Sequence, residues 1–147
     1  MKVRFAHNFG LPLLILLLAA TSITGCVTGT LASTSKDNYP AVSGTVTYRQ
    51  RIALPPNAVV RVTLADVSLQ DVAAKVLTEI EVPTDGRQVP IPFRLAYWPE
   101  RIEATHTYSV RAQIVVDGAL FMTSTTSYPV ITRGAPTKLT IVVQPVN

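Results

Sequence analysis

Short runs of alternating apolar and polar residues follow one another through the chain after residue 40. The clearest run is Val60–Ala65, in which Val60, Val62 and Leu64 stand at every second position. Similar runs lie at residues 41–49, 108–114 and 139–144. Side chains of a strand point alternately to its two faces, so each run predicts a strand with one buried face. Because the runs are short, β-branched and bounded by turn residues, they predict an all-β fold, a small antiparallel β-sandwich of about seven strands.

Two local signals refine this pattern. The dipeptide Asp117-Gly118 separates two apolar runs and supplies the positive φ angles that a two-residue hairpin turn needs. The strands between residues 107 and 128 are therefore predicted to form a hairpin. The run Val89–Leu95 contains two prolines, which lack the amide hydrogen that a β-ladder uses. This strand is therefore predicted to lie at a sheet edge, or to place its prolines where the amides would face solvent.

The segment Gln70–Val82 fits two patterns. Val72, Val76 and Ile80 share the spacing of one helical face, whereas the residues from Val76 onward also alternate as in a strand. A two-sheet fold needs another strand here. We therefore predict a loop followed by a strand from about Lys75, with a short helix as the alternative.

The only cysteine of the chain, Cys26, closes an N-terminal export signal. Lys2 and Arg4 supply a positive start, Leu11–Ala20 an apolar centre, and the residues leading to the cysteine are Ile23-Thr24-Gly25. This arrangement resembles a bacterial lipoprotein signal. The resemblance implies cleavage before Cys26, a diacylglyceryl thioether on its sulfur, and acylation of the new amino terminus.

Two other interpretations of this N-terminus fit the residues less well. A transmembrane helix needs about 20 consecutive apolar residues, and the apolar run is roughly half as long and contains Pro12. Ordinary secretion with cleavage near Ala32 would leave an exported cysteine without an evident role. In lipoproteins of this kind an Asp after the cysteine favours retention at the inner membrane. Val27 stands there, which implies the outer membrane, with the domain on the periplasmic side.

Three parts of the chain follow from these signals: a cleaved signal peptide (1–25), a lipidated flexible tether (26–40) and the β-sandwich (41–147). Removing 25 of 147 residues leaves 122, enough for one domain and too few for two. Without residues 1–25 the chain has 11 basic and 9 acidic residues, a net charge of +2. These charges are scattered singly, so no nucleic-acid partner is predicted, and we expect a monomer.

No pattern in the sequence indicates catalysis. His106 is the only histidine after the signal peptide, and no acid or nucleophile is recognisable as its partner. A zinc site needs several N, S or O ligands, and a calcium site needs clustered carboxylates. The acidic residues are dispersed, and Glu79 and Glu81 share one strand face where solvation is expected. The chain is therefore predicted to be a binding or structural module without enzymatic activity, metal or cofactor.

The candidate partner-binding residues cluster between Pro92 and Arg101. They are Phe93, Arg94, Tyr97, Trp98 and Arg101. Trp, Tyr and Arg most often dominate the binding energy of protein interfaces. The structural alternative is that Tyr97 or Trp98 folds back over the end of the sandwich as part of the core. The Ser/Thr-rich stretch 122–127 is interpreted as an exposed strand face, with a glycan-binding surface as the alternative.

Three stretches, taken in order, resemble the YbaY/YscW lipoprotein family. They are Ser43-Gly44-Thr45-Val46, then Val89-Pro90-Ile91-Pro92-Phe93 with Tyr97 and Pro99, and finally Tyr108 to Gly134 with Asp117-Gly118 inside it. The resemblance covers about residues 43–146 and implies a sandwich of about seven or eight strands on a lipid anchor. Trp98 departs from the family pattern, which more usually has Asp or Asn before the proline.

The resemblance implies two alternative roles. Some members of the family are envelope lipoproteins of unknown role, and the chain is predicted to be one of these, binding an envelope protein. Others resemble pilotins, which escort secretin subunits of a type III secretion system to the outer membrane. A glycan-binding envelope module is the third alternative.

Replacing the cysteine tests the anchor. Because Cys26 lies outside the predicted sandwich, Cys26→Ser is expected to leave the fold intact and to release the protein from membranes or stall its processing. Membrane fractionation and mass spectrometry of the purified chain measure both effects. Unchanged maturation and sedimentation with the outer membrane would contradict the prediction.

Overall fold

Residues 38–146 are described by the computed structural model, and within them the chain forms nine β-strands and a short 3₁₀ turn at Pro99–Arg101. The strands are β1 Ala41–Thr47, β2 Val59–Asp66, β3 Lys75–Pro83, β4 Ile91–Ala96, β5 Tyr108–Val116, β6 Ala119–Thr123, β7 Tyr128–Val130, β8 Lys138–Val142 and β9 Gln144–Pro145. The predicted signal peptide, Cys26 and the predicted tether up to residue 37 lie outside the described residues. Within residues 38–146, no helix has the length and apolar character needed to cross a membrane.

The strands form two sheets, which confirms the predicted β-sandwich. One sheet has the order β4-β1-β8, and the other has the order β3-β2-β5-β6-β9, with β7 also paired to β5. The count of nine exceeds the predicted seven because two predicted strands are each divided. The stretch 119–128 becomes β6 and the beginning of β7, and the run after residue 138 becomes β8 and β9.

Alternation along the strands places the core as predicted. In β2, Val60, Val62 and Leu64 are completely buried, whereas Arg61 and Thr63 lie on the outer face of the sheet. β2 is paired with β3 on one side and with β5 on the other, and both pairings are antiparallel. The buried faces of β1, β4, β5 and β8 complete one hydrophobic core.

Three local predictions are confirmed. Asp117 and Gly118 have positive φ angles of 51° and 78° and connect the antiparallel strands β5 and β6. The ambiguous segment forms a strand that begins at Lys75, as preferred over the helix. The proline-containing strand β4 lies at the edge of the three-stranded sheet.

One pairing departs from the predicted antiparallel pattern, because β1 and β8 run parallel. The connection from β7 to β8, residues 131–137, leads the chain from the larger sheet to the smaller one. Period-two alternation reports which face of a strand is buried and carries no information on strand direction. The parallel pair therefore could not be read from the pattern.

Gly44 allows the parallel pair to form at its observed spacing. It lies in the middle of β1, opposite Phe93 of β4 and Leu139 of β8. A Cβ atom at this position would lie 1.8 Å from the carbonyl oxygen of Leu139 and 2.8 Å from its carbonyl carbon. Because the obstacle is backbone, neither atom can turn aside as a flexible side chain could.

The loops divide into two groups at opposite ends of the sandwich. Ala41 at the start of β1 pairs with Ala96 at the end of β4, and Asp66 at the end of β2 pairs with Tyr108 at the start of β5. We call this end, with residues 38–40, 67–74, 97–107 and 131–137, the proximal end. The distal end holds residues 48–58 and 84–90 and the hairpin turn at 117–118, and here the side chain of Asn57 donates a hydrogen bond to Asp117.

Substitution of Gly44 tests the close approach of β1 and β8. Gly44→Ala is expected to lower the free energy of unfolding by about 3 kcal/mol or more, because overpacking against backbone cannot relax locally. Urea denaturation followed by tryptophan fluorescence measures the change. The neighbouring Ser43→Ala is the control and is expected to change stability by no more than about 0.5 kcal/mol. Equal stability of the two variants would contradict the argument.

Candidate partner-binding site

Four of the five predicted partner-binding residues lie on the surface near the proximal end. The side chain of Arg94 lies on the exposed face of β4. Tyr97, Trp98 and Arg101 follow in the connection to β5. Phe93 lies apart from them, since it is only 6% exposed and belongs to the hydrophobic core. Neighbouring residues of a strand face opposite sides, so Phe93 and Arg94 cannot share one binding surface.

A groove runs between the two sheets along strands β3 and β4. It has a volume of about 380 Å³. Its lining residues are Tyr39, Thr78, Glu79, Ile80, Arg94, Ala96, Tyr97 and Trp98. We call it the edge groove. Three of the predicted residues, Arg94, Tyr97 and Trp98, are thereby brought together with residues of β3 that the sequence did not single out.

The groove exists because the two sheets differ in width. Thr78 and Ile80 of β3 pair with Leu64 and Val62 of β2 and share their inward-facing side of the sheet. Leu64 and Val62 are completely buried, whereas Thr78 and Ile80 remain partly exposed. β4 is the edge strand of the three-stranded sheet, so among the described residues no further strand of that sheet covers β3. The inward-facing strip of β3 that contains Thr78 and Ile80 is therefore left accessible.

Trp98 forms one wall of the groove and is 47% exposed. The centroid of its ring lies 5.9 Å from the ring centroid of Tyr39. The indole also contacts Arg101, whose guanidinium carbon lies 5.2 Å from the ring centroid. A cation at this distance from an indole is attracted by the π-electrons. The ring is therefore held in place without being buried, and Trp98 does not act as a core plug. Tyr97 is the residue that packs partly against the core.

The chain enters the sandwich beside this groove. The amide of Tyr97 donates a hydrogen bond of 3.0 Å to the carbonyl of Pro40, and Arg94 donates one of 2.9 Å to the carbonyl of Tyr39. Tyr39 and Pro40, which the sequence analysis assigned to the tether, are thus fastened to β4 and the residue after it. The positions of Tyr39 and Pro40 beside the groove are fixed by these two bonds.

A polar cluster that the sequence analysis missed lies at the same end. Nδ1 of His106 is 2.6 Å from Oδ2 of Asp66, and Nε2 is 3.2 Å from Oε2 of Glu103. The expectation that no acid partners His106 is therefore wrong. Asp66 ends β2 and stands 40 positions before the histidine, so only the pairing of β2 with β5 brings them together. Glu103, three residues before His106, was the one partner that spacing alone could have suggested.

Hydrogen bonding separates the pKa values of this pair. Burial alone would raise the pKa of Asp66, but hydrogen bonds from the hydroxyl and amide of Ser68 and from His106 outweigh it and lower that pKa. The hydrogen bond to Asp66 raises the pKa of His106 above its ordinary value. Partial burial and the charge of Lys75 oppose this rise, and the charges of Asp66 and Glu103 add to it.

The order of these contacts differs from that of a hydrolytic triad. The hydroxyl of Ser68 donates to Oδ1 of Asp66 at 2.5 Å and accepts the amide hydrogen of Thr107 at 2.9 Å. The carboxylate therefore stands between serine and histidine, whereas in a triad the histidine stands between serine and carboxylate. The cluster fastens the 67–74 loop to the residues that precede β5.

A second depression lies beside the polar cluster. It has a volume of about 790 Å³ and combines charged groups with apolar side chains. The lining residues are Asp66, Ser68, Leu69, Val72, Ala73, Lys75, Val76, Leu77, Glu100, Arg101, Glu103 and His106. We call it the proximal cleft. Arg101, the fifth predicted residue, lines this cleft and not the edge groove.

Two other sequence predictions concern the outer face of the larger sheet. Glu79 and Glu81 are not merely solvated, since Glu81 lies 2.6 Å and Glu79 3.6 Å from side-chain nitrogens of Arg61.

In the Ser/Thr-rich stretch, Ser124 accepts the amide hydrogen of Ala112, and the hydroxyl oxygen of Ser127 lies 3.1 Å from that of Ser109. The depression lined by these hydroxyls contains no aromatic ring among its lining residues. Within residues 38–146, no group of three or more His, Cys, Asp or Glu side chains is placed to hold a metal ion.

Comparison with known proteins places these features in a family context. Residues 37–143 match the family model described as "Type III secretion system lipoprotein chaperone (YscW)". The uncharacterized lipoprotein YbaY of Escherichia coli (strain K12) is 42% identical over 108 residues, covering 74% of this chain and 56% of the relative. This chain thus spans little more than half the length of that relative. A solved structure, an alternative pilotin from the type II secretion system of Vibrio cholerae, is similar with a TM-score of 0.71 and 46% identity, covering 74% of this chain and 97% of that chain.

Titration of His106 tests the polar cluster. Its pKa, followed by NMR, is expected to lie above the ordinary value of 6.5 and to fall in Asp66→Asn. Because the pKa of His106 is raised in the folded state, the charged pair contributes its full stability below about pH 6.5 for as long as Asp66 is ionised, and this contribution is lost as pH rises through the folded-state pKa of His106. Urea unfolding at several pH values is expected to show this loss in the wild type and not in His106→Gln. An unchanged His106 titration in Asp66→Asn would contradict the assignment.

Proposed function

Since the chain belongs to the YscW family of type III secretion system lipoprotein chaperones, we propose that it is a non-catalytic envelope lipoprotein that binds a client protein. Carrying a client requires no bond to be made or broken. The proposal takes Cys26 as the lipid-modified residue, the outer membrane as the destination, and the periplasm as the side on which the sandwich lies. The chain acts as a monomer with one client-binding surface.

The proposed client is a secretin subunit, so that the protein acts as a pilotin. Two findings support this choice: the family description names a secretion-system chaperone, and the solved relative that is 46% identical is a pilotin. The lipid anchor would target the protein to the outer membrane, and the sandwich would bind the secretin subunit. The family description and the relative name secretion systems of two types, so the client's identity decides between type II and type III.

The edge groove is the observation that carries the proposal. It offers two partly exposed side chains of β3, the apolar Ile80 and the hydroxyl-bearing Thr78, opposite the exposed indole of Trp98. Large aromatic side chains set in a groove are the usual anchors of protein interfaces. Trp98 is held by Tyr39 and Arg101 before any client arrives, so little side-chain freedom remains to be lost on binding.

The lining predicts the chemistry of the client segment. Apolar atoms predominate on the groove floor, and one acidic and one basic side chain, Glu79 and Arg94, lie among its lining residues. A client segment with one apolar face, flanked by one basic and one acidic residue, would complement this surface. Such a segment would cover the strip of β3 that the narrower sheet leaves accessible.

Two alternatives have less support. An envelope lipoprotein with another protein client would use the same groove, and the relative YbaY is a lipoprotein without an assigned role. A glycan-binding module would use the hydroxyl-rich face, where Ser109, Ser124 and Ser127 already bond to other groups of the protein. Glycan sites on β-sandwiches usually offer exposed aromatic rings, and this face offers none among its lining residues.

In-cell crosslinking of the tagged, lipidated protein followed by mass spectrometry tests the proposal. A secretin subunit is expected among the captured proteins. Trp98→Ala is expected to weaken its binding roughly 30-fold, the equivalent of an interface anchor of about 2 kcal/mol. The same substitution is expected to lower the free energy of unfolding by only about 1–2 kcal/mol, because the lost contacts are one aromatic pair and one exposed cation–π contact.

Leu120→Ala is the matched control, since Leu120 is 43% exposed beside the hairpin turn at the distal end. It is expected to leave capture unchanged. Capture of other envelope proteins in place of a secretin would exclude the pilotin role. A loss of several kcal/mol of stability in Trp98→Ala would mean that the ring serves the fold rather than the client.

A further inference from the structure

Exposed apolar side chains are concentrated at one end of the molecule. Nine large hydrophobic residues within residues 38–146 are exposed, and six of them lie at or next to the proximal end: Tyr39, Val67, Leu69, Val72, Val76 and Trp98. Isolated exposed apolar residues are ordinary, whereas a contiguous group marks a surface that contacts something other than water. The concentration at one end therefore needs a physical explanation.

The most exposed members of the group lie on the 67–74 loop. Leu69 is 68% exposed and Val72 is 62% exposed, and Ala73 and Ala74 follow them. This loop is held at its base, because Ser68 bonds both to Asp66 and to the amide of Thr107. Leu69 and Val72 are thus presented to the exterior from a fixed base.

We propose that the proximal end rests on the lipid bilayer, with Leu69 and Val72 at the boundary between headgroups and acyl chains. The proposal depends on lipidation of Cys26, which is part of the proposed function. Tyr39 and Trp98 line the edge groove and belong to the client surface. The membrane contact is therefore made by Leu69 and Val72, on the proximal cleft. An apolar surface of this kind lies in the interface without spanning the membrane.

The length and the attachment point of the tether support this orientation. Asn38 follows Cys26 by twelve residues, so it lies at most about 40 Å from the anchored sulfur. The chain enters the sandwich at the proximal end, where Tyr39 and Pro40 are fastened to the strand β4 region. The end at which the chain enters the sandwich is therefore the one that carries the exposed apolar side chains.

The charges around this surface neither attract nor repel a membrane strongly. Five basic and four acidic side chains lie at or next to the proximal end: Lys75, Arg94, Arg101, Arg133 and Lys138, and Asp66, Asp71, Glu100 and Glu103. Because the net charge of this surface is small, the contact is driven by apolar area. It is therefore expected in vesicles of neutral phosphatidylcholine, without anionic lipid.

Client binding and membrane contact can occur together, because Leu69 and Val72 line the proximal cleft and are absent from the edge groove. A client in the edge groove would then be held close to the bilayer surface. A second protein covering the 67–74 loop is the competing occupant, and the experiment distinguishes it from lipid.

A fluorescent probe on the loop tests the contact. The lipidated full chain carrying Leu69→Cys is labelled with an environment-sensitive dye and placed in phosphatidylcholine vesicles that contain a lipid-borne quencher. Lipidation occupies the sulfur of Cys26, so the new cysteine is the only free thiol. Leu120→Cys, at the opposite end, is the matched control.

The probe at position 69 is expected to shift its emission to the blue and to lose emission to the quencher, while the probe at position 120 does neither. Equal, unquenched emission from both positions would overturn the proposal. Equal quenching of both would also overturn it, because the sandwich would then lie on the membrane without a preferred end. A shift at position 69 that appears only with added secretin would assign the loop to a protein partner.

Labelling of the wild-type chain separates this proposal from the proposed function. Dye incorporated into the wild type would mean that Cys26 is free, which would remove the anchor on which both depend. With Cys26 blocked, an unquenched loop overturns only the membrane contact. Secretin capture through the edge groove would be unaffected, and its dependence on Trp98 would be unchanged.

Discussion

Burial of the apolar face of β2 is the interaction on which the rest of the structure depends. Val60, Val62 and Leu64 are completely buried, and each contributes about 1.5–3 kcal/mol relative to an exposed side chain. Because β2 is paired on both sides, it also fixes the position of β3 and β5. Asp66 at its end then holds His106. The position of β2 therefore determines where the edge groove, the polar cluster and the proximal loops lie.

The edge groove is accessible because one sheet has three strands and the other has six. The three-stranded sheet ends at β4, so the inner face of β3 continues beyond its cover. β4 and β3, the edge strands that border the groove, differ in how readily a partner strand could pair with them. β4 carries Pro92, which lacks an amide hydrogen and discourages strand addition, whereas β3 is a nine-residue strand without a proline before Pro83.

Features set by local chemistry could be predicted from the sequence, and features set by long-range pairing could not. The hairpin at Asp117-Gly118 follows from two neighbouring residues, and the edge position of β4 from its prolines. The ion pair of Asp66 and His106 joins residues 40 positions apart, so it requires the register of β2 with β5. The burial of Phe93 is different, because alternation alone already separates it from its neighbour in the chain.

The attachment of residues 39 and 40 has a mechanical consequence. In the proposed anchored state, tension along the chain from Cys26 would pass residues 39 and 40 and reach β1, the central strand of the three-stranded sheet, which is bonded to β4 on one side and β8 on the other. Force along a strand held on both sides loads its hydrogen bonds in shear, so they resist together. A strand at the edge of a hairpin would instead open one bond at a time. A pull on the chain before residue 39 would therefore be met by a strand that is hydrogen-bonded on both sides.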